Sequence, residues 1–299
     1  MAGFRNLRAW ADAEDLGQFH VTSFRKAVSS AATTTSAWID YSYFPGSPVA
    51  NFYASSPLEA AELEASRGIY VPTVAPKTQW LRNLKLMSAA SSGTSVLNGR
   101  QQIVLADILL YYPFIDTDAV GEQQDMVNTA TIPRYTSGRV IAVGQSASST
   151  NGTFTFSYTN QDGVAGRTSQ NHFTFVVAGG GQVVASSVQS AASFHPYLAL
   201  QAGDSGVKSI ESVTFTAGGG GLMALVIVQP LLECFVTQES RRTTSGNLET
   251  YGACDEFASV IHHRPRQIKD GAVINLFAAG HAGSLASSIL AGLLETTWN

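Results

Sequence analysis

Thr153-Phe154-Thr155-Phe156-Ser157-Tyr158-Thr159 alternates without a break between hydroxyl-bearing and aromatic residues. Successive side chains on a strand point to opposite faces, so Phe154, Phe156 and Tyr158 share one side and the hydroxyls take the other. That is the pattern of an antiparallel strand with one face in a core and one toward water. Asn151-Gly152 precedes it and Asp162-Gly163 follows, dipeptides that accept the positive φ of tight hairpin turns. Asn98-Gly99 and Asp270-Gly271 repeat the signal elsewhere.

Outward from this stretch the strand pattern recurs at 102–112, 139–147, 172–178, 182–188, 209–216, 222–228 and 272–279. A run of strands with turn residues between them predicts a mainly β protein, an antiparallel β-sandwich or jelly roll over 101–299. The glycine runs Gly179 to Gly181 and Gly218 to Gly221 fall between strands. They read as loops, because a phosphate cradle needs a helix after the glycines. Residues 1–100 differ in texture, with Pro45, Pro48, Pro57, Pro72 and Pro76 and few strand signals. Ser56-Pro57-Leu58-Glu59 has the form of a capping box with Pro at the first helical position, and Gly68 supplies a stop. The sequence therefore predicts a short helix over 57–67 inside an irregular N-terminal arm or brace.

Composition narrows the class. Of 299 residues, 44% are hydrophobic and 13% charged, against roughly 25% charged in an ordinary soluble domain. Much of the surface must then be neutral Ser, Thr, Ala, Gly, Asn and Gln, which suits contact more than solvation. Interfaces favour Arg over Lys, and the only lysines are Lys26, Lys77, Lys85, Lys208 and Lys269. A net charge of −4 and short, separated basic clusters (Arg241-Arg242, and Arg264 to Lys269) argue against nucleic acid as the main partner. The stretch from Met1 to His20 carries Arg5, Arg8, Asp12, Glu14 and Asp15 and so has no apolar signal core. The apolar run 222–228 ends at Gln229-Pro230, far short of the roughly 20 residues that span a bilayer. Cys234 and Cys254 are too few for a disulfide framework and read as reduced structural residues.

Several motifs imitate chemistry. Gly203-Asp204-Ser205-Gly206 looks like the nucleophile motif of trypsin-like proteases, but Val207-Lys208 follow where that motif continues with Gly and Pro. The upstream His20, His172 and His195 also lack the setting of the protease base. A Gly/Asp/Ser turn, with both glycines supplying backbone angles, is the preferred reading. His262, His263 and His281 could be offered as metal ligands, yet neighbours on a strand point apart and His262 and His263 could not readily share an ion. Asp116, Asp118, Glu122 and Asp125 could be offered for calcium, but the spacing misses the dedicated loop pattern and a solvated loop is preferred. Asn151-Gly152-Thr153 matches a glycosylation acceptor, and its turn role explains it fully. No catalytic, metal or cofactor residue is predicted.

A resemblance adds context. Asn51-Phe-Tyr-Ala-Ser-Ser-Pro-Leu58, Ala75-Pro-Lys-Thr-Gln-Trp-Leu81, Ala106-Asp-Ile-Leu-Leu-Tyr-Tyr-Pro-Phe-Ile-Asp116 and Ile132-Pro-Arg-Tyr-Thr-Ser-Gly138 resemble virion structural proteins of tailed bacteriophages and prophages. Asn160-Gln-Asp-Gly-Val164, Leu200-Gln-Ala-Gly-Asp-Ser-Gly-Val207 and Asp270-Gly-Ala-Val-Ile-Asn-Leu276 extend the likeness from about residue 50 onward. None of these is a mechanistic motif, and the stretch from Arg241 to Glu256 departs from the pattern. The resemblance implies a non-enzymatic virion protein made in the host cytoplasm. Its partners would be copies of itself and other virion proteins, with no membrane partner. It would be a capsid-associated decoration, cement or vertex component, or else a tail or baseplate component facing a receptor.

Overall fold

The computed structural model describes residues 4, 6–28, 37–90, 100–128, 130–187, 195–237, 239–242, 248–251, 254–257, 266–280 and 288–299. One α-helix, α1 (Leu7–Asp15), is followed by β1 (Phe19–Ala27), β2 (Trp38–Asp40), β3 (Gly46–Ser47), β4 (Gln79–Ala90) and β5 (Arg100–Asp116). The middle supplies β6 (Gln123–Asp125), β7 (Arg139–Gly144), β8 (Thr153–Asn160), β9 (Arg167–Thr168), β10 (His172–Thr174) and β11 (Ala185–Ser186). Next come β12 (Val207–Ala217), β13 (Leu222–Thr237), β14 (Glu239–Arg242) and β15 (Leu248–Tyr251). The last are β16 (Cys254–Phe257), β17 (Gln267–Ile268), β18 (Ile274–Gly280) and β19 (Ser288–Trp298).

Every strand pair in these sheets is antiparallel. The central sheet runs β2-β18-β5-β13-β7. Its long strands β5 and β13 read as near-continuous apolar runs because both their faces are buried, from Ile103 to Tyr112 and from Met223 to Val228. A second sheet, β16-β4-β19-β1-β3 with β17 also on β4, packs on one end of the central sheet, where Leu84, Leu86, Leu290 and Leu294 meet Ile103, Leu105, Leu276 and Val236. A third, β11-β10-β8-β12-β6 with β9 on β8, packs on the other end, where Phe154, Phe156, Tyr158 and Phe215 meet Leu109, Tyr112, Leu225 and Ile227. Ile103, Leu105 and Leu109 share one parity along β5, so the two cores lie in tandem on one face of the central sheet. Val104, Ala106 and Val226 face the other way, into a third cluster with Trp38, Tyr53 and Val273.

The protein is thus mainly β and sandwich-like, with a helix near the N-terminus. The alternation along β8 is as read: Phe154, Phe156, Tyr158 and then Asn160 are buried while the residues between them are half-exposed. Three expectations need correction. No helix forms over 57–67; a turn and a short 3-10 segment (Ala65–Arg67) stand there. Ala61 instead exchanges backbone hydrogen bonds with Tyr111 (3.0 and 2.9 Å) and Leu58 donates to Pro113 (2.9 Å), so the stretch satisfies its backbone along β5. The separate arm over 1–100 also gives way, because β1 and β4 flank β19 in one sheet and β2 pairs with β18. The strands expected over 172–178 and 182–188 shrink to β10 and β11. Asn98-Gly99, Arg264, His262, His263 and His281 lie outside the described residues.

Candidate functional site

The Gly-Asp-Ser-Gly turn closes the end of the third sheet. Gly203 has φ +93°, a left-handed angle that suits glycine. Gly206 does not need such an angle. It is required by close approach, since a Cβ there would stand 2.4 Å from Ser137 Oγ and 2.6 Å from Ser137 Cβ. The expectation that both glycines supply special angles is corrected for Gly206.

Asp204 accepts from Tyr158 Oη (2.6 Å), Asn160 Nδ2 (2.8 Å), and Arg167 Nε and Nη2 (2.9 and 3.3 Å). Arg167, then Tyr158, hold its carboxyl down at about 2. Ser205 is exposed, and it and Gly206 donate their backbone N–H groups to Gln161 Oε1 (3.0 and 3.3 Å). Asp204 is therefore committed to tying the turn to β8 and β9. The three upstream histidines, the candidate bases for Ser205, have settings of their own. His172 stacks on Phe156 in the core, His20 lies edge-on to Tyr70, and His195 stacks on Tyr197.

The acidic stretch is a set of turn braces. Asp116 Oδ1 accepts the Asp118 N–H (2.8 Å), Asp118 Oδ1 accepts the Gly220 N–H (2.9 Å), and Asp125 accepts from Gln123 (2.6 Å). These contacts seat the glycine loop between β12 and β13, where Gly221 also donates to Thr117 Oγ1 (2.8 Å). Gly180 and Gly181 likewise lie against the Tyr43 ring, with no room for a Cβ. Among the described residues no three His, Cys, Asp or Glu side chains gather as a metal site would require. Cys234 is buried in the first core on β13, whereas Cys254 belongs to β16 of another sheet.

Sequence reasoning missed two buried charge clusters. Asp107 lies between the two cores of the tandem face, fully buried, and accepts from Arg134 Nε and Nη2 (3.0 Å each) and from the Val273 N–H (2.8 Å). Burial pushes its carboxyl up despite Arg134. Asp40, at the end of β2, accepts from Tyr53 Oη (2.5 Å) and the Ser42 N–H (2.8 Å). Nearby, the buried Lys26 donates to the carbonyls of Pro48 (2.9 Å) and Ser42 (3.3 Å). Desolvation pulls Lys26 down to about 8, and burial raises Asp40. The signal was a charge standing among apolar residues, Asp40 in Trp-Ile-Asp-Tyr and Lys26 two places from Phe24.

Several large apolar side chains are left outward. Phe19 and Val21 on β1, Met87 on β4 and Leu293 on β19 are exposed, and Tyr70 is 61% exposed. Beside β1 an open cleft of about 290 Å³ is lined by Thr22, Ser23, Ser47, Pro48, Ile69 and Tyr70 among others. These features define a mainly β, sandwich-like protein whose polar clusters brace the fold. Comparison with protein-family models, curated proteins and solved structures finds no match. Among the described residues no helix is long and apolar enough to cross a membrane.

Proposed function

We propose that this chain is a structural virion protein of a tailed phage, a capsid-associated component that works by packing against copies of itself and other particle proteins and not by catalysis. The observation that carries the reading is where the phage-like segments meet. Asp107, Arg134 and Val273 belong to three of them and form one buried cluster. Asp204, Asn160 and Gln161 belong to two more and join in the turn cluster. Leu58 of another donates to Pro113 in the segment that carries Asp107. What the resemblance marks is thus the framework of the sandwich, as expected where the shared property is a shape that assembles. The neutral surface, with its exposed Phe19, Val21, Tyr70 and Leu293, supports the same reading.

Quantitative mass spectrometry of purified particles tests it. On the order of hundreds of copies per particle supports a capsid location, whereas a few dozen or fewer supports the tail or a vertex. Absence of the chain from the particle refutes the proposal.

A further inference from the structure

Among the described residues, β1 is the place where one sheet is left open. It pairs with β19 over its whole length, Phe19 with Thr297 through Ala27 with Ile289, without a register shift. On its other side β3 covers only Arg25 and Lys26, and Ala27 donates to Pro45 (3.0 Å). The chain then passes through Pro48, which has no N–H to continue the ladder. Val28 donates to Ser288 on the β19 side (2.8 Å) while Ala27 points the other way, so the odd residues of β1 face outward from the sheet. Phe19, Val21 and Ser23 therefore present backbone N–H and C=O groups along an edge with no backbone partner among the described residues. The cleft of about 290 Å³ lies at this edge, where β3 stops.

Several other edges are covered or short among the described residues. Beside β7, Val184 donates to Ala142 (2.9 Å) and Leu198 to Val140 (2.9 Å). Beside β2, Val183 donates to Trp38 (2.8 Å). β6 and β11 are three and two residues long. Proteins blunt an open edge with Lys, Pro or a bulge, and residues 19–24 contain none of these.

We infer that β1 is a self-pairing edge: two copies join antiparallel about a two-fold axis at Val21, making one continuous sheet through both. This deepens the assembly reading by naming the partner as a second copy of this chain. In that register Phe19 of one copy faces Ser23 of the other and Val21 faces Val21. The outward-pointing residues then meet each other, as about six backbone hydrogen bonds require. Close to a two-fold axis a residue meets its own copy, so a charge there would repel itself. The edge from Phe19 to Phe24 has no charged residue.

Beyond the paired stretch Gly17, with φ +68°, turns the chain off the edge toward α1, which packs against β19. The exposed Arg25 of one copy then approaches the C-terminal turn of the other copy's α1. That turn holds exposed Asp12 and Asp15 and no basic residue, an arrangement unfavourable to the helix dipole that an arriving guanidinium corrects.

A short edge pairing of this kind is weak, with an expected Kd on the order of 10 µM. Sedimentation of the purified full chain from about 5 to 200 µM, with hydrogen exchange, is the test. The wild type should dimerise and protect the Phe19 and Ser23 amides as it does so. Val21→Pro removes an outward N–H that β19 does not use, and Val21→Lys sets like charges on the axis. Each should weaken the dimer at least about tenfold, while Val176→Lys, at an exposed site just past β10, should not. Arg25→Glu should weaken it and Asp15→Arg in the same chain restore it. A monomeric wild type at the highest concentration, a dimer unchanged in both Val21 variants, or no restoration by the charge swap overturns the two-fold pairing. Because particle content is measured separately, a virion lacking the chain would refute the virion reading and leave this result intact.

Discussion

His172 offers the sharpest test of the packing described. It is fully buried on β10, its ring stacked on Phe156 at 5.5 Å and tilted to Phe154 at 5.3 Å, with Nδ1 sharing a hydrogen bond with Ser187 Oγ (3.1 Å). Nε2 has no partner among the described residues. Desolvation holds the imidazole down at about 4, against an ordinary 6.5. The folded state thus keeps His172 neutral where the unfolded chain has already taken up a proton. The stability this represents is complete above about pH 6.5, falls as the pH drops toward 4, and is gone below that. The gap is worth about 3 kcal/mol, of which about 2.5 should be lost between pH 7.5 and 4.5.

Urea unfolding of the wild type and His172→Phe at both pH values measures it. Phenylalanine keeps the stack and places carbon where Nε2 has no described partner. Asp40 and Asp107, whose carboxyls are raised, add stability as the pH falls, and Glu14 and Asp204, which are lowered, remove it. Those groups are common to both proteins, so the difference between the two pH dependences isolates His172. Equal dependences would refute the reasoning.

Further outcomes follow from the same contacts. Phe156→Ala should cost about 3 to 5 kcal/mol in thermal or urea melts and Thr155→Ala under about 1, since only Phe156 faces the core; equal costs would mean the faces are misassigned. Arg134→Met should destabilise by about 3 to 5 kcal/mol in the same assay, because it strands the buried Asp107 carboxylate. Gly206→Val should prevent normal folding by collision with Ser137, whereas Ser205→Ala should stay within about 0.5 kcal/mol of the wild type. Stoichiometric labelling of Ser205 by a serine-directed covalent probe, lost on denaturation, would contradict the structural role given to that turn.

The sequence made β8 legible because one of its faces is wet and the other dry, which is what a two-residue period records. β5 and β13 were visible as apolar runs, but which core each residue enters depends on bulges, as between Ile227 and Val228, that no local pattern announces. β19 went unread because Ser288-Ile-Leu-Ala-Gly-Leu-Leu has apolar residues on both faces, so its alternation is erased. β1 misleads in the opposite way: Phe19 and Val21 are exposed while Lys26 is buried. The helix expected over 57–67 rested on sound capping chemistry, but the carbonyls of β5 competed for the same N–H groups and won. The buried charges of Asp40 and Asp107 were written in the sequence as exceptions to apolar context. Their partners, Tyr53 and Arg134, lie 13 and 27 positions away and become neighbours only through the fold.

The place of β19 in its sheet bears on when the protein becomes competent. It lies between β4 and β1 and, among the described residues, is the only long neighbour of β1. A ribosome makes chain at about 5 to 20 residues per second. For much of the time between translation of Phe19 and of its partner Thr297, β1 has nothing native to pair with. β19 is translated after both of its neighbours, so the β4-β19-β1 arrangement needs that strand to enter between them. A chain that stops before Ser288 lacks the strand that β1 pairs with from Phe19 to Ala27, so the edge proposed above to self-pair is registered only once β19 has been made.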